Sequence, residues 1–350
     1  MQDEKKLNNL LDYSLEELKE IVKDLGEKEY RADQLYKWLN AGVPFEKTSN
    51  LSKSFLSDLR ENYSEGYAIL KRKQVSKDGT VKYLFGMQDD IDVESVLMKQ
   101  SYGNTLCVST QAGCKMRCNF CVSGMFGLER NLTAGEILAQ VIGANSDGIK
   151  VNNIVLMGMG EPFDNYDNVI KFLKLVNDER GLNIGWRSIS LSTCGVVPKI
   201  IEFSKENLPI TLAVSLHAPN DEIRKKIMPI ANKYTINEVI DSAKYYFNKT
   251  GRRVIIEYVL LEGVNASKEN AKELSKLLSG LNCHVNLIPF NSGSGEFKKP
   301  SFDVVKGFLS ELEKNRISAT IRKTSGDDID GACGQLKLIT NKNMAREEKP

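Results

Sequence analysis

Three cysteines, Cys114, Cys118 and Cys121, fall within eight positions of the stretch AGCKMRCNFCVSG, and Cys107 lies seven residues upstream. C-x-x-x-C-x-x-C on the loop after a strand-like run suits three thiolates on three irons of a cubane 4Fe-4S cluster. The fourth iron then has no protein ligand. The amino and carboxylate groups of S-adenosylmethionine can chelate such an open iron, and an electron from the cluster can split the sulfonium. Zinc is the competing chemistry. It usually takes four ligands, and zinc knuckles use two-residue gaps. A second stretch, LMGMGEP (156–162), ends the next strand-like run. Its glycines permit close backbone approach, and Glu161 offers a carboxylate to an ammonium group; by itself the stretch also reads as a plain loop.

The elements that must position these residues are legible. DYSLEELKEIVKDLG opens with Ser14 and Glu17 at capping-box spacing and carries Leu15, Leu18, Ile21, Val22 and Leu25 on one face. YRADQLYKWLNAG and LSKSFLSDLRENY predict two more short helices. YAILKRKQVSKDGTVKYLFGM predicts a hairpin about Asp78-Gly79. Its Lys71, Arg72, Lys73, Lys77 and Lys82 are either a solvated edge or a phosphate-contacting patch. From about residue 100, strand-like runs at 105–110, 153–158, 188–193, 210–216, 254–261, 284–290 and 317–323 alternate with helical patterns. Thr133 with Glu136, and Thr235 with Glu238, open two of those helices. This alternation predicts an α/β fold with a parallel sheet, open or curled into a partial barrel. Sites in such folds gather at the C-terminal strand ends.

Composition bounds the rest. The 350 residues are 41% hydrophobic and 27% charged, with a net charge of +2, so nucleic-acid binding would need local patches rather than a globally basic surface. No run of about eighteen apolar residues appears, which argues against a membrane span. The N-terminus has no apolar signal-peptide core, and a cytoplasmic location is the default expectation. In that setting seven cysteines point to metal or redox chemistry rather than a disulfide framework.

The three-cysteine spacing after the first strand of an α/β region resembles the radical-SAM signature. LSTCGVVP (191–198), SLHAPNDEIRKKIMPI (215–230) and GDDIDGACGQL (326–336), with RNLTAGEI and NLIPFN, narrow the likeness. Together they resemble the dual-specificity adenine-C2 methyltransferases, which act on an adenosine of 23S rRNA and an adenosine beside the anticodon in tRNA. The likeness covers almost the whole chain. It implies a partial (β/α)6 radical-SAM barrel with a small N-terminal helical domain and a β-hairpin extension. The implied division is 1–65 (helical, RNA-binding), 66–100 (hairpin), 101–340 (core with a C-terminal cysteine loop) and 341–350 (tail).

The resemblance also implies a mechanism. Carbon 2 of adenine is electron-poor and does not attack a sulfonium methyl. One S-adenosylmethionine instead methylates a cysteine, and a second generates the radical that activates this methyl group for addition to the ring. Proton removal and disulfide formation then release the product. Carried onto this sequence, Cys333 bears the methyl group, Cys107 resolves the adduct and Glu94 is the base. Gly160, Glu161, Ser192, Ser215, Leu216, His217 and Asn291 contact the cofactor, and Cys114, Cys118 and Cys121 hold the 4Fe-4S cluster. Cys194 and Cys283 match no such position and read as structural. VSGMFGLERNLT after the third cysteine departs from the run common in the family, which affects loop shape but no ligand. The expected partners are 23S rRNA, tRNA and a low-potential donor of the flavodoxin or ferredoxin type, with the chain a monomer. The alternatives are the sister activity at carbon 8 of the same rRNA adenosine, which confers antibiotic resistance, and a non-catalytic iron–sulfur or zinc protein that binds RNA.

Overall fold

The structure is a computed structural model and describes residues 7–329 other than 126, 291–296, 324 and 327. Cys333, Asn291 and the tail 341–350 therefore lie outside the described residues. One ten-stranded sheet organises the chain. Its strands are β1 (Ile69–Val75), β2 (Val81–Gly86), β3 (Asp92–Gln100), β4 (Gly103–Cys107), β5 (Asn153–Leu156), β6 (Ile189–Thr193), β7 (Thr211–Ser215), β8 (Val254–Leu260), β9 (Cys283–Pro289) and β10 (Ala319–Ile321). Their order across the sheet is their order in the sequence, with β1 and β10 as the two edges. The strands β1 to β4 pair antiparallel, and β4 to β10 pair parallel.

Helices cross between the parallel strands because a parallel pair cannot be joined by a tight turn. They are α4 (Ala134–Ser146), α5 (Tyr166–Asn177), α6 (Val197–Phe203), α7 (Asp221–Ile227) with α8 (Ile236–Thr250), α9 (Lys268–Leu277) and α10 (Phe302–Lys314). The expected capping boxes at Thr133–Glu136 and Thr235–Glu238 are both present. The strands β4 to β9 bury one face beneath these helices. Leu106, Ile154, Ile189, Leu191, Leu212, Val214, Ile256 and Val285 form this outer face and belong to one continuous core. The opposite, inner face is far more polar. Register puts Lys82, Val96, Cys107, Val155, Ser190 and Thr211 in one row across it. A second row is Ser215, Glu257, Asn286 and Thr320. The parallel strands fall where the sequence predicts them, and together with six crossovers they give the α/β architecture expected.

Three N-terminal helices, α1 (Leu15–Asp24), α2 (Tyr30–Asn40) and α3 (Lys53–Arg60), pack Leu18, Val22, Leu35, Leu39, Phe55 and Leu59 into the same core. The predicted box at Ser14 forms, with the Glu17 carboxylate accepting from Ser14 N at 2.7 Å. Asp12 ties this region to the core by accepting from Gly135 N at 2.6 Å, in the first turn of α4. The hairpin turns at Ser76–Thr80 as expected, with Ser76 N donating to Thr80 O at 2.8 Å. Its strands are the edge of the main sheet rather than a separate ribbon. Its cations are largely committed. Lys71 pairs with Asp92 at 2.7 Å, Lys73 bonds Asp147 at 2.8 Å, and Lys82 is buried. Arg72 and Lys77 enter no ion pair among the described residues, so the candidate phosphate patch narrows to these two. No described helix is long and apolar enough to cross a membrane.

Candidate active site

The three-cysteine loop leaves the sheet beyond β4 and is fixed from both sides. Cys114 N donates to Gly127 O at 2.8 Å, and Cys121 N donates to Cys118 O at 3.0 Å. Asn119 grips the end of α7, its backbone N donating to Ile227 O at 2.9 Å and its side chain to Lys226 O at 2.7 Å. Gly113 has φ +78°, and a Cβ there would lie 1.9 Å from Gly127 O, so only glycine fits the entrance to the loop. Lys115 forms an ion pair with Asp164. Met116, Cys118 and Phe120 pack against a small apolar cluster that includes Cys194, Ile227, Met228 and Phe290.

Burial, reinforced by the neighbouring thiols, pushes Cys114 up to about 12 and Cys118 higher still. Sites that suppress thiolates this way ionise when a metal cation takes the place of the protons. Among the described residues, no three His, Cys, Asp or Glu side chains converge as ligands of one ion. A cubane does not require that, because each thiolate takes a different iron. The donor set of three soft sulfurs on one loop fits a 4Fe-4S cluster.

The glycine stretch lies against this loop. Gly158 N donates to Val108 O at 3.0 Å, Met159 N to Ser109 Oγ at 2.9 Å, and Glu161 N to Gln111 Oε1 at 2.8 Å. A Cβ on Gly158 would sit 2.6 Å from Val108 O. Glu161 is used differently from the sequence expectation of an open carboxylate. Its Oε2 accepts from Cys194 N at 2.7 Å and its Oε1 from Phe163 N at 3.1 Å, so it braces the LSTCG loop. Burial raises its pKa.

The ends of β6 and β7 form the floor. Ser192 Oγ and Ser215 Oγ lie 3.3 Å apart on the inner face. Leu216 is buried, and its N donates to Glu257 O at 3.1 Å. His217 has φ +57° and an imidazole enclosed by protein, with Nδ1 accepting from Val259 N at 3.0 Å and the ring edge-on to Phe120. Burial, with a smaller contribution from Arg224, lowers its pKa to about 3, so the ring is neutral near pH 7. Asn265 holds the turn by donating to His217 O at 2.8 Å and Val259 O at 2.7 Å.

Glu94 and Cys107 share the inner face across β3 and β4, where Cys107 stands opposite Val96. Both are buried. Lys82, on β2 and also opposite Val96, reaches Glu94 with Nζ–Oε2 2.9 Å, their side chains 0% and 2% exposed. Ser109 links this wall to the glycine stretch, its Oγ donating to Glu94 O at 2.6 Å while accepting from Met159 N. The described start of the segment that leads to Cys333 meets the hairpin turn. Gly326 N donates to Asp78 Oδ2 at 2.9 Å, Lys77 N donates to Asp328 Oδ2 at 3.1 Å, and Ser76 Oγ also bonds Asp328. The Gly326 amide, with that of Thr80, holds the Asp78 carboxyl well below the usual carboxylate range.

Sequence reasoning thus names the thiols, the glycine stretch, the serine floor, Glu94 and Cys107, and the fold gathers them at one end of the inner face. It misses the polar groups that brace them, namely Lys82, Gln111, Ser109, Asn265 and Arg224. Arg224 had a detectable signature. It stands three residues before Ile227, and these two are the buried side chains of α7.

Comparison with known proteins agrees with this architecture. The family model described as the Radical SAM superfamily matches residues 108–274, and that described as the Ribosomal RNA large subunit methyltransferase N-terminal domain matches residues 8–64. A probable dual-specificity RNA methyltransferase RlmN from Clostridium perfringens is 51% identical over 336 residues, covering 95% of this chain and 97% of its own. Its counterpart in Clostridium acetobutylicum is 51% identical over 335 residues with the same coverage. The crystal structure of a radical SAM methyltransferase from Sphaerobacter thermophilus superposes with a TM-score of 0.90 at 42% identity, covering 94% of this chain and 98% of that one. With half of its residues shared across nearly the full length of such relatives, the chain belongs to the dual-specificity RNA methyltransferase family of the radical SAM superfamily.

Proposed function

We propose that this chain methylates carbon 2 of one adenosine in 23S rRNA and of an adenosine beside the anticodon in tRNA, using two S-adenosylmethionine molecules and a methylated cysteine. The observation that carries this reading is the shared inner face. The buried Glu94–Lys82 pair and Cys107 stand on one wall, and Ser109 connects that wall to the glycine stretch beside the three thiols.

Cys114, Cys118 and Cys121 would hold the 4Fe-4S cluster, and Gly160, Ser192, Ser215, Leu216, the His217 backbone and Asn291 would seat the cofactor. Glu161 would act through the Cys194 loop that it braces. When bound, the cluster supplies the electron that splits the cofactor's sulfonium and so yields the hydrogen-abstracting radical. The rest falls to the protein. Cys333 carries the methyl carbon to the ring. Glu94, oriented by Lys82, takes the proton from carbon 2. After the adduct has given its unpaired electron back to the redox centre, the ionised Cys107 thiol attacks the Cys333 sulfur, the sulfur–methylene bond breaks, and the methylene carbon takes up a proton, so that a Cys107–Cys333 disulfide forms as the methylated base departs. Burial of the wall keeps water from competing at the adduct.

We divide the chain into an RNA-binding helical region (1–65), the hairpin region (66–100), the catalytic core (101–340) and a tail (341–350). It works as a cytoplasmic monomer fed by a flavodoxin- or ferredoxin-type donor. The dual specificity in the relatives' names suits a C2 enzyme with rRNA and tRNA substrates better than carbon-8 activity on rRNA alone. The test is anaerobic reconstitution with iron and sulfide, followed by assay on rRNA and tRNA fragments with mass analysis of the nucleosides. 2-Methyladenosine from both RNAs is expected. 8-Methyladenosine, or a colourless zinc-loaded protein without activity, would overturn the reading.

A further inference from the structure

Arg224 is among the largest fully buried side chains, with 0% exposure. Among the described residues its guanidinium donates only to backbone carbonyls, from Nη2 to Cys194 O at 2.6 Å, from Nε to Leu216 O at 3.2 Å and from Nη1 to Tyr234 O at 3.5 Å. Among the described residues no carboxylate forms an ion pair with it. Asp221, one turn earlier on α7, is turned to Ile236 N at 2.7 Å. Guanidinium keeps its charge at any pH compatible with folding. A full positive charge satisfied by dipoles alone is strongly unfavourable in an interior, because removing one partner of a buried pair leaves the same situation.

The surroundings indicate what balances that charge. The groups able to become anionic that act on Arg224 are, in order of strength, the thiols of Cys194 and Cys118 and then the Asp221 carboxylate. Cys118 packs against the small apolar cluster that includes Ile227 and Met228, three and four residues after Arg224, and the cysteine loop is pinned to the end of α7 through Asn119. The two carbonyls bound most closely belong to Cys194 and Leu216. One loop carries Ser192 and is braced by Glu161, and the other carries Ser215 and His217.

We propose that Arg224 is a positioning residue for the iron–sulfur centre. It is a fixed interior cation whose counter-charge is the three-thiolate cluster, and it ties together the two strand-end loops beneath that cluster. Three thiolates around a cubane core make a net negative centre, and an added electron makes it more so. A nearby fixed cation favours the reduced form and raises the reduction potential, since net charge around a cluster is one of the terms that sets it. The inference rests on the cluster reading above.

The test compares wild type, Arg224→Gln and Arg224→Lys after anaerobic reconstitution with iron and sulfide. Readouts are iron content, the potential of the cluster by redox titration, and the rise in thermal midpoint on cluster loading. R224Q should show a potential shifted to more negative values and a smaller cluster-dependent rise. R224K keeps the charge but loses the fork geometry, so its potential should stay near wild type while S-adenosylmethionine binds more weakly. An R224Q cluster with an unchanged potential would overturn the proposal, as would a potential in R224K shifted as far as in R224Q. An R224Q chain that cannot fold even without iron would assign Arg224 to the fold alone and also overturn it. Wild-type protein that takes up no four-iron cluster would instead refute the cluster reading, so the two failures are distinguishable.

Discussion

Replacing Lys82 with Met tests whether the wall behind the proposed chemistry is held by charge. Nζ and Oε2 are 2.9 Å apart and both side chains are almost wholly buried. With an effective dielectric constant of about 20, attraction at that separation is about 6 kcal/mol, and desolvation of the two ions offsets much of it. The net value of the pair is therefore small, whereas breaking it is costly. Lys82→Met leaves Glu94 buried opposite an apolar chain, for which about 3–5 kcal/mol is expected. Glu94→Gln alone leaves the ammonium in the same position. The double variant replaces both charges with neutral groups of similar volume, so it should be destabilised by less than the sum of the singles, by about 2 kcal/mol or more. The assay is urea unfolding of the iron-free protein at pH 7 under reductant, for all four corners of the cycle. If the single effects add to within about 0.5 kcal/mol, the ion pair does not couple the two residues and the reasoning fails. Activity provides a separate readout. Lys82→Met should slow product release from the RNA adduct even in protein that remains folded, because the base is no longer oriented.

Other expectations follow from the same geometry. Arg72→Ala with Lys77→Ala should weaken RNA binding and reduce the slope of log affinity against log salt by up to about 2, while Lys71→Ala with Lys73→Ala should change it much less. Filter binding across a salt series would show equal effects if the ion pairs do not hold Lys71 and Lys73. His217 has a folded pKa of about 3, below its unfolded value of about 6.5, so the unfolded chain binds the extra proton between those values. Its contribution is complete above about pH 6.5 and is lost as pH falls toward 3. Between pH 6.5 and 5 the loss is about 2 kcal/mol. Asn, which tolerates the positive φ at this position, should remove that increment in His217→Asn, and an unchanged pH slope would refute the assignment. Cys118→Ala should fail to retain the cluster, as read by iron content and absorbance. Cys107→Ala should keep it and stall as a ribonuclease-sensitive protein–RNA cross-link on a denaturing gel, and free methylated RNA at the normal rate would show that another residue resolves the adduct.

Strand positions, capping boxes and the thiol spacing were legible because each is a local pattern in the chain. Period-two burial in a half-covered sheet and an S/T-x-x-E start need no tertiary information. Lys82 was not legible for the same reason. In KRKQVSKDGTVKY it is one more hairpin cation, and only pairing of β2 between β1 and β3 puts it inside. Glu161 shows a subtler limit. The sequence supplied a carboxylate in a plausible place, yet the backbone N–H of Cys194 on another loop and that of its own neighbour Phe163 claim both oxygens. Such competition for a buried acceptor depends on atoms thirty residues away and leaves no trace in the motif. Arg224 lay in between, since its place on the apolar stripe of a short helix was visible while its lack of a carboxylate partner among the described residues was not.

The order of the sheet bears on how the protein is made. Within the main sheet, β1 to β10 each pair only with the preceding and following strand of that sheet, so no strand waits for a partner made after the next crossover. A ribosome adding about 5–20 residues per second exposes Glu94 roughly 10–50 s before Cys333. The sheet can therefore grow strand by strand from the hairpin toward β10, closing the Lys82–Glu94 wall and seating the thiol loop early. The proposed methyl carrier arrives last, on a segment whose first anchor, the turn at Asp78, is among the earliest parts to be synthesised. A chain released before that segment would contain an assembled cofactor site with no means of delivering a methyl group, so premature termination late in synthesis should yield folded, iron-loaded and inactive protein rather than aggregate.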